Sequence, residues 1–175
     1  AVWSQGKLKV VDGTESDGRM LTSDATGTAT WKTNIGFNAS STTSVIIASG
    51  GTLNRIYGNV NFNDGGAYNN VTGVFTAPAN GVYQFNYSEV FSAVASTNGH
   101  AAIKLTVNGL VAPVSVTRVQ PGGATSFNWS AENSVTLRLN SGDEVRVVVE
   151  NIAIGVNLVT TPFDQNGGFS GFRIY

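Results

Sequence analysis

An all-β fold, arranged as a sandwich or barrel, is predicted by three features of the sequence. Short segments alternate apolar and polar residues with a period of two, as in Ile103-Lys104-Leu105-Thr106-Val107 and Val135-Thr136-Leu137-Arg138-Leu139. Turn signals punctuate them: Asn108-Gly109, Pro121-Gly122-Gly123, Ser141-Gly142-Asp143 and Asn166-Gly167-Gly168. No window carries an amphipathic-helix period, and the strand spacing fits a sandwich or barrel.

The chain has 175 residues, enough for one ordinary domain with a small appendage. Hydrophobic residues make up 41%, which excludes a disordered chain. Charged residues are only 12%, about half the usual share, so the surface takes its polarity from Asn, Ser, Thr and Gly. A net charge of −1 lacks the basic footprint of a nucleic-acid binder. Apolar runs such as Val45-Ile46-Ile47-Ala48 and Val147-Val148-Val149 are far too short for a membrane-spanning helix, so membrane insertion is not expected. The absence of cysteine removes disulfides, thiolate zinc sites and thiol catalysis, and a single histidine removes a His-rich metal site. No signal peptide is visible, and a start at Ala1 reads as a processed form or a piece of a longer chain.

Taken from the N-terminus, residues 1–40 hold few apolar side chains, chiefly Val10, Val11, Met20, Leu21 and Trp31. Such a segment cannot build its own core and needs a partner surface or further copies of itself. A boundary is expected between residues 32 and 44, dividing a segment of residues 1–40 from a domain of residues 41–175. The most informative stretch follows, with Tyr57, Asn63, Tyr68, Phe75, Gly81, Tyr83, Phe85 and Tyr87 at fixed spacings. Gly81 ends a turn after Pro78-Ala79-Asn80, and Tyr83, Phe85 and Tyr87 then alternate onto one strand face. Phe75, on the preceding strand, is expected to pack against them across a hairpin.

These spacings, with their downstream partners, resemble the globular head of the C1q/tumour-necrosis-factor superfamily over about 130 residues. Tyr68 to Pro78 is similar to the family's hairpin leading into a Gly-x-Tyr-x-Phe strand. Val107-Asn108-Gly109 resembles its next turn, and Leu137-Arg138-Leu139 with Gly142-Asp143-Glu144-Val145 its penultimate strand pair. Phe169-Ser170-Gly171-Phe172-Arg173-Ile174-Tyr175 resembles its closing strand. Tyr57 stands where the family usually has Phe. The resemblance implies a ten-stranded antiparallel jelly-roll sandwich that closes as a homotrimer. The N-terminal order Leu21-Thr22-Ser23-Asp24, Gly27-Thr28-Ala29-Thr30-Trp31 resembles the stalk-to-head segment of bacterial surface fibres, and implies a short trimeric β collar.

No catalytic constellation stands out. His100 has no Gly-x-Ser-x-Gly elbow to serve, and reads as a solvated loop residue. The acids form no paired-carboxylate motif, and Asp143-Glu144 read as turn chemistry. There is no phosphate-cradling loop and no dinucleotide fingerprint. Arg118, Arg138 and Arg146 read as outward-facing or intersubunit groups. No cofactor is expected. Calcium is the one metal weighed, with oxygens from Asn63-Asp64, Asp143 and above all Asp164; Asx-turn chemistry accounts for the same residues.

In the superfamily's topology both termini of the head lie at its base, so the loops at residues 93–100, 119–125 and 151–168 fall at the distal end. They carry Asn98, His100, Gln120, Asn157, Phe163, Asp164 and Gln165, amides and acids with one aromatic, which suit sugar recognition. Trp129 shares a strand face with Phe127 and is expected in packing. The expected function is a non-enzymatic one. The chain would be the trimeric tip of an extracellular bacterial surface fibre, an adhesin for a glycan or a surface protein. A purely structural trimerisation cap is the alternative, and a secreted glycan hydrolase ranks third.

Overall fold

The computed structural model describes residues 2–4, 6–93, 99–120, 127–152, 157–160 and 167–175. The described residues contain no helix. The N-terminal segment forms two small antiparallel hairpins: β1 (Val2–Ser4) with β2 (Lys7–Lys9), and β3 (Met20–Ser23) with β4 (Ala29–Lys32). The second is tied at its turn by the Asp24 carboxylate, which accepts from the Thr26 and Thr28 backbone N–H groups, both at 2.9 Å. Its register places Leu21 opposite Trp31, and the Trp31 indole donates to the Val10 carbonyl at 3.2 Å. Met20 and Leu21 nevertheless stay exposed.

The remaining strands make two antiparallel sheets around one core. The larger sheet joins β5 (Gly36–Ser40), β6 (Val45–Ile47), β8 (Asn59–Asp64), β11 (Gly81–Ala93), β14 (Phe127–Leu139), β16 (Leu158–Thr160) and β17 (Gly168–Arg173). Its central order is β14-β11-β17-β5-β8. The smaller joins β7 (Thr52–Asn54), β9 (Tyr68–Asn69), β10 (Val74–Thr76), β12 (Ala101–Val107), β13 (Leu110–Val119) and β15 (Glu144–Asn151). Among the described residues, the seven and six strands of the two sheets together exceed the ten expected, because short segments such as β6, β7, β9 and β16 pair with the long ones.

The alternation in β11 does what its sequence dictates. Tyr83, Phe85 and Tyr87 point inward and are buried, while Gln84, Asn86 and Ser88 face out. Phe75 meets Tyr83 and Phe85 edge-on, with ring centroids 5.6 and 5.2 Å apart. That contact runs across the core, not across a hairpin: β10 pairs with β9 and β15, and β11 belongs to the other sheet. Period-two alternation sets which face a residue occupies and leaves its sheet partner open, so sequence adjacency was a poor guide. Phe37, Tyr68 and Phe169 extend the aromatic cluster, Phe37 stacking on Tyr68 at 4.6 Å. Tyr57 is fully buried, and its backbone N–H and C=O both bond the Tyr68 hydroxyl. Trp129 packs half-buried against the same core.

The Asn108-Gly109 turn joins β12 to β13 with both residues at positive φ, 51° and 82°, as the favoured two-residue hairpin requires. Further along β13 the register with β12 shifts, and Val114 takes a φ of 55°, an unfavourable value for a β-branched residue. Ser115 locks this bulge: its buried hydroxyl lies 2.7 Å from the Ala112 carbonyl and 3.1 Å from that of Leu105.

Candidate functional site

Pairing fixes which ends of the sheets are which. Gly36 pairs with Phe172 and Val82 bonds Tyr175, so the start of β5 and the C-terminus lie at one end. At the opposite end, Ala101 pairs with both Val119 and Asn151. His100, just before β12, and Gln120, just after β13, therefore come together there. His100 is half-buried and its carbonyl accepts from Ile152 N–H at 2.8 Å; Gln120 is exposed. Asn157, exposed, precedes β16, which pairs with the far end of β11. Asn98, Phe163, Asp164 and Gln165 lie outside the described residues.

Of the other calcium candidates, Asn63 and Asp143 are committed to turns, and Asp64 is exposed. The Asn63 side-chain amide donates to the Tyr68 carbonyl at 2.8 Å and accepts from its N–H at 3.1 Å. Asp143 accepts from the Asn108 side chain and the Asn140 N–H, both at 2.8 Å, and the Asn108 bond leads in holding its carboxyl below the usual range. Among the described residues, no group of three or more metal-ligating side chains gathers.

Two features escaped the sequence reading. One is a buried ion pair between Arg55 and Glu89, 2% and 0% exposed. Arg55 also donates to the Ser41 hydroxyl and to the Thr43 carbonyl, and its guanidinium lies 5.5 Å from the Tyr57 ring centroid. Burial pushes the Glu89 carboxyl up, against the opposing pull of Arg55. Glu89 packs so closely on Gly167 that a Cβ there would stand 2.6 Å from its Oε1.

The other is the outward face of the larger sheet. Register sets Ser134, Asn86, Ser170 and Asn38 side by side across β14, β11, β17 and β5. The next row is Glu132, Ser88, Gly168 and Ser40. Between them lies an open groove of about 520 Å³. Toward the terminal end the face turns apolar. Phe62 and Phe172 flank Gly36, and Phe172 and Tyr175 are 48% and 62% exposed. Arg138 borders this belt and donates to the Tyr175 hydroxyl at 3.0 Å. At the same end a second apolar groove, about 800 Å³, runs between β13 and β14 past exposed Leu110, Val111 and Val114. Strand alternation signalled which of these residues face outward; only the pairing brings them together.

No curated protein matches the chain. Among solved structures the chain is similar to the globular domain of zebrafish complement 1qA protein. The identity is 19% and the TM-score 0.52, with 81% of this chain and 98% of that one covered. At that identity the likeness carries the fold alone. The profile of the C1q domain matches residues 36–174, most of the chain and every strand of both sheets. The chain therefore belongs to the C1q domain family.

Proposed function

We propose that the chain is the trimeric head of an extracellular bacterial surface fibre, a recognition module that binds a glycan or surface protein, with its N-terminal segment as the collar. C1q globular domains serve other proteins as recognition and trimerising modules and are typically found in secreted proteins. The observation that carries the reading is the pair of unlike apolar patches at the terminal end. One is the Phe62–Phe172–Tyr175 belt and the other the Leu110–Val111–Val114 groove. Exposed apolar surface of this kind marks a contact site. Two different patches meeting head to tail make a heterologous contact, which closes into a ring when the rotation allows. The second N-terminal hairpin leaves Met20 and Leu21 exposed, apolar surface that further copies would cover.

The test is chemical cross-linking of wild type and Phe172→Asp. Wild type gives a trimer band. The variant, with a charge in the belt, gives monomer while keeping its β circular dichroism. A wild type that never cross-links beyond monomer would refute the reading. The structural-cap alternative keeps the trimer but predicts no ligand, which separates the two.

A further inference from the structure

We propose that the outward face of the smaller sheet binds an anionic saccharide, one carrying a carboxylate or a sulfate, in a groove formed by Asn54, Lys104, Thr106 and Arg146. This rests on the reading of the chain as a recognition head and gives that head a site and a ligand class. It also places recognition on the flank of the head and not on the distal loops.

Register builds the site as a square on neighbouring strands. Lys104 pairs with Val148 and Thr106 with Arg146, so β12 and β15 set the two cations at opposite corners. Val148 pairs in turn with Asn54 of β7. Diagonal neighbours of this kind stand about 7–8 Å apart, within reach of one anion held between two long side chains. The groove above them has a volume of about 420 Å³, inside the roughly 300–1,000 Å³ range of small-molecule sites.

Two observations point to a ligand there. Thr106 lines the groove at 6% exposure, yet its hydroxyl has no hydrogen-bond partner among the described residues. Buried polar groups are ordinarily satisfied. The other buried Ser and Thr hydroxyls, those of Ser40, Ser41, Ser115 and Thr160, all bond within the chain. The second observation is the placement of charge. Glu150 holds Lys104 from the distal side, and Glu144 holds Arg146 from the terminal side at 2.8 Å. Both carboxylates therefore lie outside the square, and none stands between the cations. Lys has three N–H donors and Arg five, so each keeps donors to offer. Two cations and one carboxylate line the groove, a positive balance on a chain of net charge −1. Arg118, opposite Ala102 and in line with Glu150, adds a third cation to the same face.

This chemistry selects the ligand. Lys and Arg give a carboxylate or sulfate the stronger, charge-assisted kind of hydrogen bond. Thr106, with the exposed Thr52 and Asn54 side chains, supplies the mixed donors and acceptors that sugar hydroxyls match. No aromatic side chain lines the groove, so affinity comes from charge and hydrogen bonds and falls as salt rises. Position suits a trimeric head. Phe62 and Phe172 of the belt belong to the larger sheet, on the other side of the sandwich. The Leu110–Val111–Val114 groove meets this one only at Val111, which pairs with Thr106 and forms its rim. Lys104, Arg146 and Asn54 lie one, two and three strands beyond β13. A trimer closed through those patches carries three such grooves, and linked sites raise avidity without new contacts.

The test uses the full chain on an array of neutral, uronate- or sialate-bearing and sulfated oligosaccharides, with a polyglutamate peptide alongside and light scattering of the same sample. Wild type is expected to bind anionic saccharides over neutral ones, and more weakly at high salt. Lys104→Gln and Arg146→Gln are each expected to weaken binding at least tenfold with the trimer intact. Thr106→Val keeps the shape, removes only the hydroxyl, and is expected to weaken binding severalfold. Binding confined to the carboxylated or to the sulfated sugars supports the site and names its anion. A Thr106→Val variant that binds as wild type does reduces the site to surface charge and overturns the proposal. A trimer that binds no anionic saccharide, prefers neutral ones, or takes only the peptide overturns it and leaves the assembly reading standing. Binding unchanged in all three variants and lost in His100→Ala or Gln120→Ala overturns it in favour of the distal end. Groove variants that dissociate the trimer overturn it by making the groove a subunit contact. A monomer that binds anionic saccharides through Lys104, Thr106 and Arg146 supports the site and refutes the assembly reading.

Discussion

Replacing Glu89 by leucine leaves the Arg55 guanidinium buried at 2% exposure with no counter-charge among the described residues, beside the Ser41 hydroxyl, the Thr43 carbonyl and the Tyr57 ring. Breaking one side of a buried pair costs about 3–5 kcal/mol, because a charge remains in a site that solvates it poorly. Folded domains hold only about 5–15 kcal/mol, so this substitution alone approaches the limit of stability. At roughly 2–4 °C per kcal/mol for a chain of this size, the melting temperature falls by about 6–20 °C. The double variant Arg55→Met/Glu89→Leu removes both charges and both desolvation penalties. It is expected within about 1 kcal/mol of wild type or above it. Ser41 keeps a partner in that variant, since its hydroxyl also donates to the Thr43 carbonyl at 3.2 Å.

The pair also has a pH signature. Burial raises the Glu89 carboxyl above its unfolded value of 4.5, so the folded state binds its proton more tightly than the unfolded state does. Its contribution is full below pH 4.5 and is lost as pH rises through the folded value. The stability of wild type relative to the double variant therefore declines with rising pH across that window. Guanidinium unfolding of wild type, the singles and the double, repeated from pH 4 to 8, reads both effects. A Glu89→Leu cost below about 1 kcal/mol, or a double variant as unstable as the worse single, would refute the argument.

Other outcomes follow from single contacts. Gly171→Ala puts a Cβ 2.5 Å from Phe85 Cδ1 and 2.9 Å from Phe37 Cε1; both rings are buried, so a loss of about 1–3 kcal/mol by denaturant unfolding is expected. Tyr68→Phe removes the hydroxyl that bonds both backbone groups of buried Tyr57, and a loss of about 1–3 kcal/mol is expected in the same assay. The Asp143 carboxyl, held low first by Asn108, favours the fold above pH 3.8 and loses that contribution as pH falls below it. In Asn108→Ala its NMR titration midpoint moves up toward 3.8.

How much of this the sequence carried depends on the range of the interaction. The Asn108-Gly109 hairpin and the inward face of β11 were legible because their causes are local: a positive-φ pair and a period of two. The family resemblance, resting on spacings from Tyr57 to Tyr175, gave the all-β head that the C1q domain match confirms. What stayed hidden is set by pairing between distant strands. Arg55 and Glu89 are 34 residues apart; the period of two puts Glu89 on the inward face of β11 between Tyr87 and Phe91, but nothing local names Arg55 as its partner. Asn38, Asn86, Glu132 and Ser170 come from four strands, and only the register makes them neighbours. Phe75 was placed on the right face and given the wrong neighbour strand, because alternation carries no information about which sheet a strand joins.

The central claim is that this C1q-family chain is a trimeric head, closed through the apolar patches at its terminal end. The molar mass of the full chain by light scattering at micromolar concentration tests it most directly. The account predicts three times the 18.3 kDa of the single chain. A mass of 18.3 kDa that persists as concentration is raised would contradict it.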